Sequence, residues 1–172
     1  TDFARPRRLT HALALASSVN AGGLKAQASV VAQDINDRVE IGTAGHLRPS
    51  LSPAIVLSYV PFPDAWLTLR AFCKRSFRMP TFNDLYYADM GSSALKPERA
   101  LQYDAGITFE TPKSRLPQRC HWHLQTDAYY NSVGDKIVAY PKGQQFRWTM
   151  LNLGRVHIKG IEALGELTLM PS

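Results

Sequence analysis

The sequence is short of cysteine, of long apolar runs and of any local concentration of one charge. Its 172 residues include only Cys73 and Cys120, which fits neither a disulfide scaffold nor a four-ligand zinc site. Both fall in phase with apolar alternation, so each is expected as a buried or lipid-facing thiol. A bridge between them would require their strands to be neighbours. No run approaches the roughly 18 apolar residues of a transmembrane helix. That leaves β-strands open, because a spanning strand needs only about 9–11 residues and keeps half of them polar. Residues 1–10 are charged and hold no apolar stretch of the kind a secretory leader carries.

Charge is present without being gathered. Lys and Arg number 20 against 14 Asp and Glu, a net +6. The basic residues are scattered over Arg5–Arg8, Lys74–Arg78, Lys113–Arg119 and Arg155–Lys159. They form no single stripe, so no nucleic-acid partner is expected. A 45% apolar, 20% charged chain is not a disordered composition either. Nucleophile–base spacings are also missing. Asp84, Asp127, His121 and His123 are the nearest groups to catalytic ones and form no such set, so none of them is taken as catalytic.

What the chain does have is period two. In residues 24–34 (LKAQASVVAQD), Leu24, Ala26, Ala28, Val30 and Ala32 form one face, with Lys25, Gln27, Ser29 and Gln33 on the other. Residues 11–20 space Leu13, Leu15 and Val19 in the same way, and Ala21-Gly22-Gly23 joins the two as a hairpin turn. Residues 35–50 read as a loop punctuated by Asn36-Asp37, Gly42, Gly45 and Pro49. Residues 51–60 alternate weakly around Pro53, which cannot donate to a ladder. After a turn at residues 61–64, residues 65–75 alternate with Arg70 and Lys74 on a face that must be wet. Residues 99–110 alternate almost perfectly, and residues 111–119 form a polar turn.

Residues 120–131 (CHWHLQTDAYYN) are the most informative strand. Trp122 and Tyr130 end its apolar face; His121, His123 and Asp127 lie on the other. At about 3.4 Å per residue the two aromatics stand roughly 27 Å apart, or about 21 Å along the normal at a tilt near 40°. That approaches the roughly 25 Å apolar band of outer-membrane barrels, which aromatic girdles bound. Residues 132–140 are expected to turn at Gly134-Asp135 and enter a short strand. Residues 145–153 and 154–169 alternate again. The apolar parity flips at Lys159-Gly160, where a β-bulge at Gly160 would restore a single face.

The result is about eight strands and no helix, with short turns alternating with long ones at 35–50 and 78–98. Alternation alone fits a soluble β-sandwich that binds carbohydrate as well as an antiparallel transmembrane β-barrel segment. Three features favour the barrel: polar faces carrying His, Asp, Arg and Lys, apolar faces ending in aromatics, and a long loop rich in Phe, Tyr and Asn.

That loop, residues 75–98 (RSFRMPTFNDLYYADMGSSALKPE), carries a resemblance. Phe77-Arg78-Met79-Pro80-Thr81, then Phe82 to Tyr87, then Gly91 with Leu95-Lys96-Pro97-Glu98 resemble, in order, three elements of the TonB-dependent outer-membrane receptors. Asp127-Ala128-Tyr129-Tyr130-Asn131, Asp135-Lys136-Ile137, Asn152-Leu153-Gly154 and Lys159-Gly160-Ile161-Glu162 continue the family's order and spacing. The resemblance covers roughly residues 51–169. It implies that residues 1–172 are one partial domain, about eight strands of a 22-stranded barrel in the outer membrane. The family's plug domain and aromatic-ended terminal strand are not in this sequence. The family's function implies a receptor that imports a scarce large nutrient of the cobalamin, siderophore or haem class. Its partners would be that ligand, outer-membrane lipid, and the TonB energy-coupling protein acting through the plug. No cofactor is implied.

The sequence departs from the family where Ser92-Ser93 replace Asn-Pro. Residues 81–94 also hold no His, which argues against haem ligation. His121 and His123 are expected as solvated lumen residues rather than metal ligands. Ligand contact is expected from Phe82, Asn83, Tyr86 and Tyr87, whose flat faces and polar edges suit a large ring-shaped ligand. The competing reading is that the same aromatics pack the loop onto the barrel wall. Arg78 is expected beside them as a further ligand contact, with a structural role, paired to a lumenal carboxylate such as Asp104, as the alternative.

Overall fold

The computed structural model describes residues 5–44, 49–87, 90–112, 120–143 and 147–169. Gly45, residues 113–119 of the polar turn with their basic residues, and Gln145 and Phe146 at the start of the expected 145–153 strand lie outside the described residues, as do residues 1–4, 88–89 and 170–172. Among the described residues there are seven strands: β1 Arg7–Ala21, β2 Leu24–Arg38, β3 Ser50–Tyr59, β4 Leu67–Arg78, β5 Glu98–Glu110, β6 Cys120–Lys142 and β7 Arg147–Leu169. One helical turn, α1, spans Phe82–Tyr86. The strands form one antiparallel sheet in chain order, each paired with the next.

The faces of this sheet are inverted relative to a soluble protein. Along β5 the exposed positions are Arg99, Leu101, Tyr103, Ala105, Ile107 and Phe109, while Gly106 and Thr108 on the other parity are buried. Ile161 is 76% exposed and Leu13 and Leu167 64%. The buried apolar core among the described residues is small: Ile35, Leu85, Tyr86, Leu95 and Ile137. A sandwich buries its apolar faces against a second sheet. Here the described strands make a single sheet with its apolar face outward and its polar face inward, so the sandwich reading is set aside. That division suits a wall with lipid on one side and a wet lumen on the other.

The apolar band is level only if the strands are tilted. Ser17, Ala28, Ile55, Cys73, Tyr103, Tyr130 and Lys159 lie opposite one another across the sheet. On β7 the outward face turns charged at Lys159 itself. On β4 it does so two residues past that row, at Arg75; on β2 six past, at Asp34; on β1 ten past, at Arg7. The opposite edge of the band moves with it. Leu169 lies ten residues from the row on β7, Phe109 six on β5, and Ala21 four on β1. With strands about 4.8 Å apart and about 3.4 Å per residue, these shifts correspond to tilts of roughly 35–50°. Outer-membrane barrels tilt by about 35–45°.

Several expectations change in detail. β6 and β7 each run as one strand through positions expected to break them. Gly134-Asp135 is not a turn. Asp135 and Gly154 take left-handed φ values of 55° and 47° between the pairs Gly134↔Arg155 and Lys136↔Leu153, so both strands bend at one level without losing register. Gly160 is not a bulge but pairs directly with Tyr129. The parity flip at Lys159-Gly160 instead marks where β7 leaves the apolar band. Cys73 and Cys120 are free, on outward parity in β4 and β6, with β5 between them.

Pro53 sits where a ladder ends. β3 pairs with β4 only from Ala54↔Lys74 to Tyr59↔Leu69, while residues 50–53 pair with β2 alone. Beyond Pro53 the wall opens between β3 and β4, at the end that carries the long loops.

Candidate functional site

The loop from β4 to β5 is built around a capped helical turn. Thr81 Oγ1 accepts from the Asp84 N–H at 3.1 Å, and Asp84 Oδ2 accepts from the Thr81 N–H at 2.8 Å. This capping box starts α1. Phe82, Leu85 and Tyr86 then share one side of the turn, and that side is the buried one. Gly91 closes the turn by donating to Tyr87 O at 2.7 Å. A Cβ there would lie 2.6 Å from the Tyr87 nitrogen, so only glycine fits.

Three anchors hold the turn against the wall. The first is Arg8 of β1, whose Nε and Nη2 donate to the two oxygens of Asp37 on β2 at 2.7 and 2.8 Å. Tyr86 Oη donates to the same carboxylate at 3.0 Å, and Arg8 Nη1 donates to the Pro80 carbonyl at 3.1 Å. The Arg8 guanidinium lies 4.9 Å from the centre of the Phe82 ring. Asp37 raises the pKa of Arg8 further, through the hydrogen bond first and charge after it, against an opposing cost of burial.

The second anchor is Glu98, which stands past the apolar band with its side chain 6% exposed. It accepts from Arg78 Nη2 at 2.8 Å and from the Ile137 N–H at 2.8 Å, with Lys136 Nζ at 3.3 Å. The Arg78 hydrogen bond chiefly, then the Ile137 N–H and Lys136, hold its carboxyl down to about 2 against the cost of burial. Arg78 therefore pairs with an inward-facing carboxylate, as the structural reading expected, though it is Glu98, its direct cross-strand partner, rather than Asp104. The third anchor is Asn152 of β7. Its Oδ1 accepts from Lys96 N at 2.8 Å, and its Nδ2 donates to Lys96 O at 2.9 Å and Asp135 O at 2.7 Å. Nearby, Met150 N donates to Met90 O at 2.9 Å. Leu85, Tyr86, Leu95 and Ile137 fill the space between the anchors.

The expected site residues are thus divided. Tyr86 is buried and hydrogen-bonded to the wall, Phe82 is half-buried beneath Arg8, and Arg78 is engaged by Glu98. Asn83 and Tyr87 face solvent, Tyr87 with 51% exposure. Arg8, Asp37 and Asn152 were not singled out as loop contacts in the sequence, and only Asn152 had a signal, in the Asn-Leu-Gly element. On the inward face His123 Nδ1 lies 3.0 Å from Glu110 Oε1. Among the described residues no group of three or more His, Cys, Asp or Glu side chains converges as a metal site.

Comparison with known proteins agrees with this architecture. The vitamin B12 transporter BtuB of Vibrio vulnificus is 34% identical over 100 residues, 58% of this chain and 15% of the relative. Its counterpart in Photobacterium profundum is 31% identical over 103 residues, 56% of this chain and again 15% of the relative. The chain thus spans a small part of those proteins' length. Among solved structures, the Serratia marcescens hemophore receptor HasR, in complex with its hemophore HasA and heme, superposes with a TM-score of 0.74 at 13% identity, over 93% of this chain and 32% of that one. The FrpB iron transporter of Neisseria meningitidis superposes at 0.68 and 13% identity, over 93% of this chain and 23% of that one. A sequence profile described as TonB dependent receptor-like, beta-barrel matches residues 4–170. With tilted strands, an outward apolar band and that match over nearly its whole length, the chain belongs to the TonB-dependent receptor β-barrel family of the outer membrane.

Proposed function

We propose that this segment forms part of the wall and one external loop of a receptor that takes up a corrinoid of the vitamin B12 class. The reading rests on the 34% identity to a vitamin B12 transporter across 58% of the chain. Siderophore and haem are the other members of the nutrient class, and the absence of His from residues 81–94 counts against haem. Transport has no chemical step, so the protein's work is binding and conformational coupling. A plug elsewhere in the receptor chain and the TonB protein would supply the coupling.

The loop suits binding because it is preorganised. Its ligand-facing candidates, Asn83 and Tyr87, sit on a turn fixed by three anchors, so little ordering entropy is lost on contact. Tyr87 offers a flat ring and a hydroxyl, and Asn83 offers an amide. Phe82, Tyr86 and Arg78 act one layer below, holding that surface in place.

Equilibrium binding of cyanocobalamin, haem and a ferric siderophore to the purified receptor carrying this segment tests the reading. Cyanocobalamin is expected to bind, and N83A/Y87A to weaken it about tenfold. Selective binding of a ferric siderophore or haem in its place would overturn the corrinoid assignment.

A further inference from the structure

The external part of the β6–β7 hairpin carries a second apolar stripe, separate from the membrane band. On these strands the band ends at Tyr130 and Lys159, which lie opposite one another. The next outward positions are polar or lack a side chain: Ser132 and Gly134 on β6, His157 and Arg155 on β7. Above the bend at Asp135 and Gly154 the hairpin turns apolar again. Ile137 and Met150 pack on the loop and Asn152 bonds to it, so these three mark the hairpin's loop side. Strand alternation puts Val138, Tyr140, Leu151 and Leu153 on the other side. Val138 and Leu151 are a cross-strand pair, with Tyr140↔Thr149 above it and Lys136↔Leu153 below. Tyr140 is 51% exposed and Leu153 53%.

This stripe stands clear of the acyl chains. Leu153 is six residues past Lys159, about 20 Å along the strand and roughly 16 Å along the normal at a tilt near 40°. The polar layer of a leaflet is only about 5–8 Å deep. Contiguous apolar side chains exposed there, rimmed by charge, mark an interaction surface.

The charge says what kind of partner fits. Residues 136–161 include Lys136, Lys142, Arg147, Arg155 and Lys159 and no Asp or Glu. They are spread along the sequence, but the fold sets them around the stripe. Lys142 and Arg147 lie directly opposite one another beyond Tyr140, and Arg155 is two residues below Leu153. All three are exposed. Among the described residues none of the three has a carboxylate within ion-pair distance, whereas Lys136 is held by Glu98. Like charges opposite one another in a ladder are destabilising, and an acidic partner would remove that cost. A second copy of the chain would bring the same cations to the contact, which sets aside a symmetric pairing of this hairpin.

We propose that the outward side of the external β6–β7 hairpin docks a second protein at the cell surface, one that offers an apolar patch rimmed by Asp and Glu. Val138, Tyr140, Leu151 and Leu153 form the centre of the contact, and Lys142, Arg147 and Arg155 its rim. An apolar centre with a charged rim is the usual build of a protein interface. The rim charges act chiefly on the rate of encounter and on the choice of partner. The loop with Asn83 and Tyr87 is on the opposite side of the hairpin, so the partner and a nutrient in the lumen do not compete.

The test is site-specific photocrosslinking in intact cells that express the full receptor carrying this segment. The probe is p-benzoylphenylalanine in place of Leu151, with the same probe in place of Ile161, inside the membrane band, as the control. Products are identified by mass spectrometry from equal amounts of folded receptor. The probe at 151 is expected to join one protein, through a peptide that carries Asp or Glu, at a yield at least tenfold above that from 161. K142E/R147E is expected to lower this yield at least tenfold. The double reversal keeps a like-charge pair at the tip and both positions are exposed, so the fold itself is little changed. Equal yield in K142E/R147E overturns the proposal. So does a crosslink to a peptide without Asp or Glu, to a lipid, to a second copy of the receptor or to another part of the same chain, and so does the absence of any crosslink.

Discussion

Arg70 reaches Asp127 across an intervening strand because residue 106 is glycine. Arg70 is on β4, Asp127 on β6, and Gly106 lies opposite both on β5. Nη2 and Oδ1 meet at 2.8 Å through the space a side chain would occupy, and Gln125 Nε2 holds the other carboxylate oxygen at 2.7 Å. A Cβ on residue 106 would collide with the Asp127 carboxylate and press on Arg70. G106A is expected to part the pair and destabilise the barrel by about 1–3 kcal/mol through overpacking. R70M/D127L, which leaves no charge behind, is expected to make G106A less costly. Denaturant unfolding of the four proteins checks this, and equal cost in both backgrounds would refute it.

Glu98 sets an acid limit on the loop. Its carboxyl is depressed to about 2, from an ordinary value of 4.5. A depressed carboxyl contributes stability that is fully present above its unfolded value and is lost as pH falls through its folded one. Thermal stability is therefore expected to decline between about pH 4.5 and 2, and E98Q to flatten that limb. At neutral pH E98Q is expected to cost about 1–3 kcal/mol, since the Ile137 N–H and Arg78 lose a charged acceptor. Melting followed by circular dichroism across this range is the measurement.

Asn152 substitutes for a backbone partner at Lys96, with one amide serving as donor and acceptor. N152A is expected to free residues 90–97 from β7 at a cost of about 1–3 kcal/mol. N152D keeps only the acceptor and should fall between. Limited proteolysis of the loop reads the effect, and a protease-resistant N152A loop would contradict it.

Neighbouring residues of β2 test the two faces. Ala28 faces outward in the middle of the apolar band and Ser29 faces inward. A28R is expected to cost about 2–4 kcal/mol in bilayers, as charge on a lipid face does at mid-depth. S29R should cost far less. Similar costs would show that the two sides meet the same solvent.

Tyr86 and Tyr87 should separate stability from binding. Y86F removes the hydrogen bond to Asp37 and is expected to cost about 1 kcal/mol. Y87F should leave stability unchanged and weaken ligand binding. The reverse pattern would exchange their roles.

Period two is a local signal, so the strands and their outward faces were legible residue by residue. β5 is an example, with Leu101, Tyr103, Ala105, Ile107 and Phe109 outward as the alternation predicts. What depended on a partner strand was not legible. Gly134-Asp135 reads locally as a turn, but the left-handed Asp135 is matched across the hairpin by left-handed Gly154, and the strand continues. Alternation pointed Arg78 at a carboxylate of its own face such as Asp104, and only the β4–β5 register selects Glu98, directly opposite. The burial of Tyr86 did carry a signal. Thr81-Phe82-Asn83-Asp84 is a capping box, and a helical turn puts positions 82, 85 and 86 on one side. The union of Arg8 with Asp37 had none, because β2 was expected to end before Asp37.

The β6–β7 register runs without a bulge from Cys120↔Leu169 to Lys142↔Arg147. In such a ladder a substitution is judged only by the solvent its face meets, while an inserted or deleted residue would exchange the two faces for the rest of the strand. Evolutionary drift in this wall is therefore cheap in residue identity and costly in strand length. The hemophore receptor HasR of Serratia marcescens, at 13% identity, still superposes over 93% of the chain.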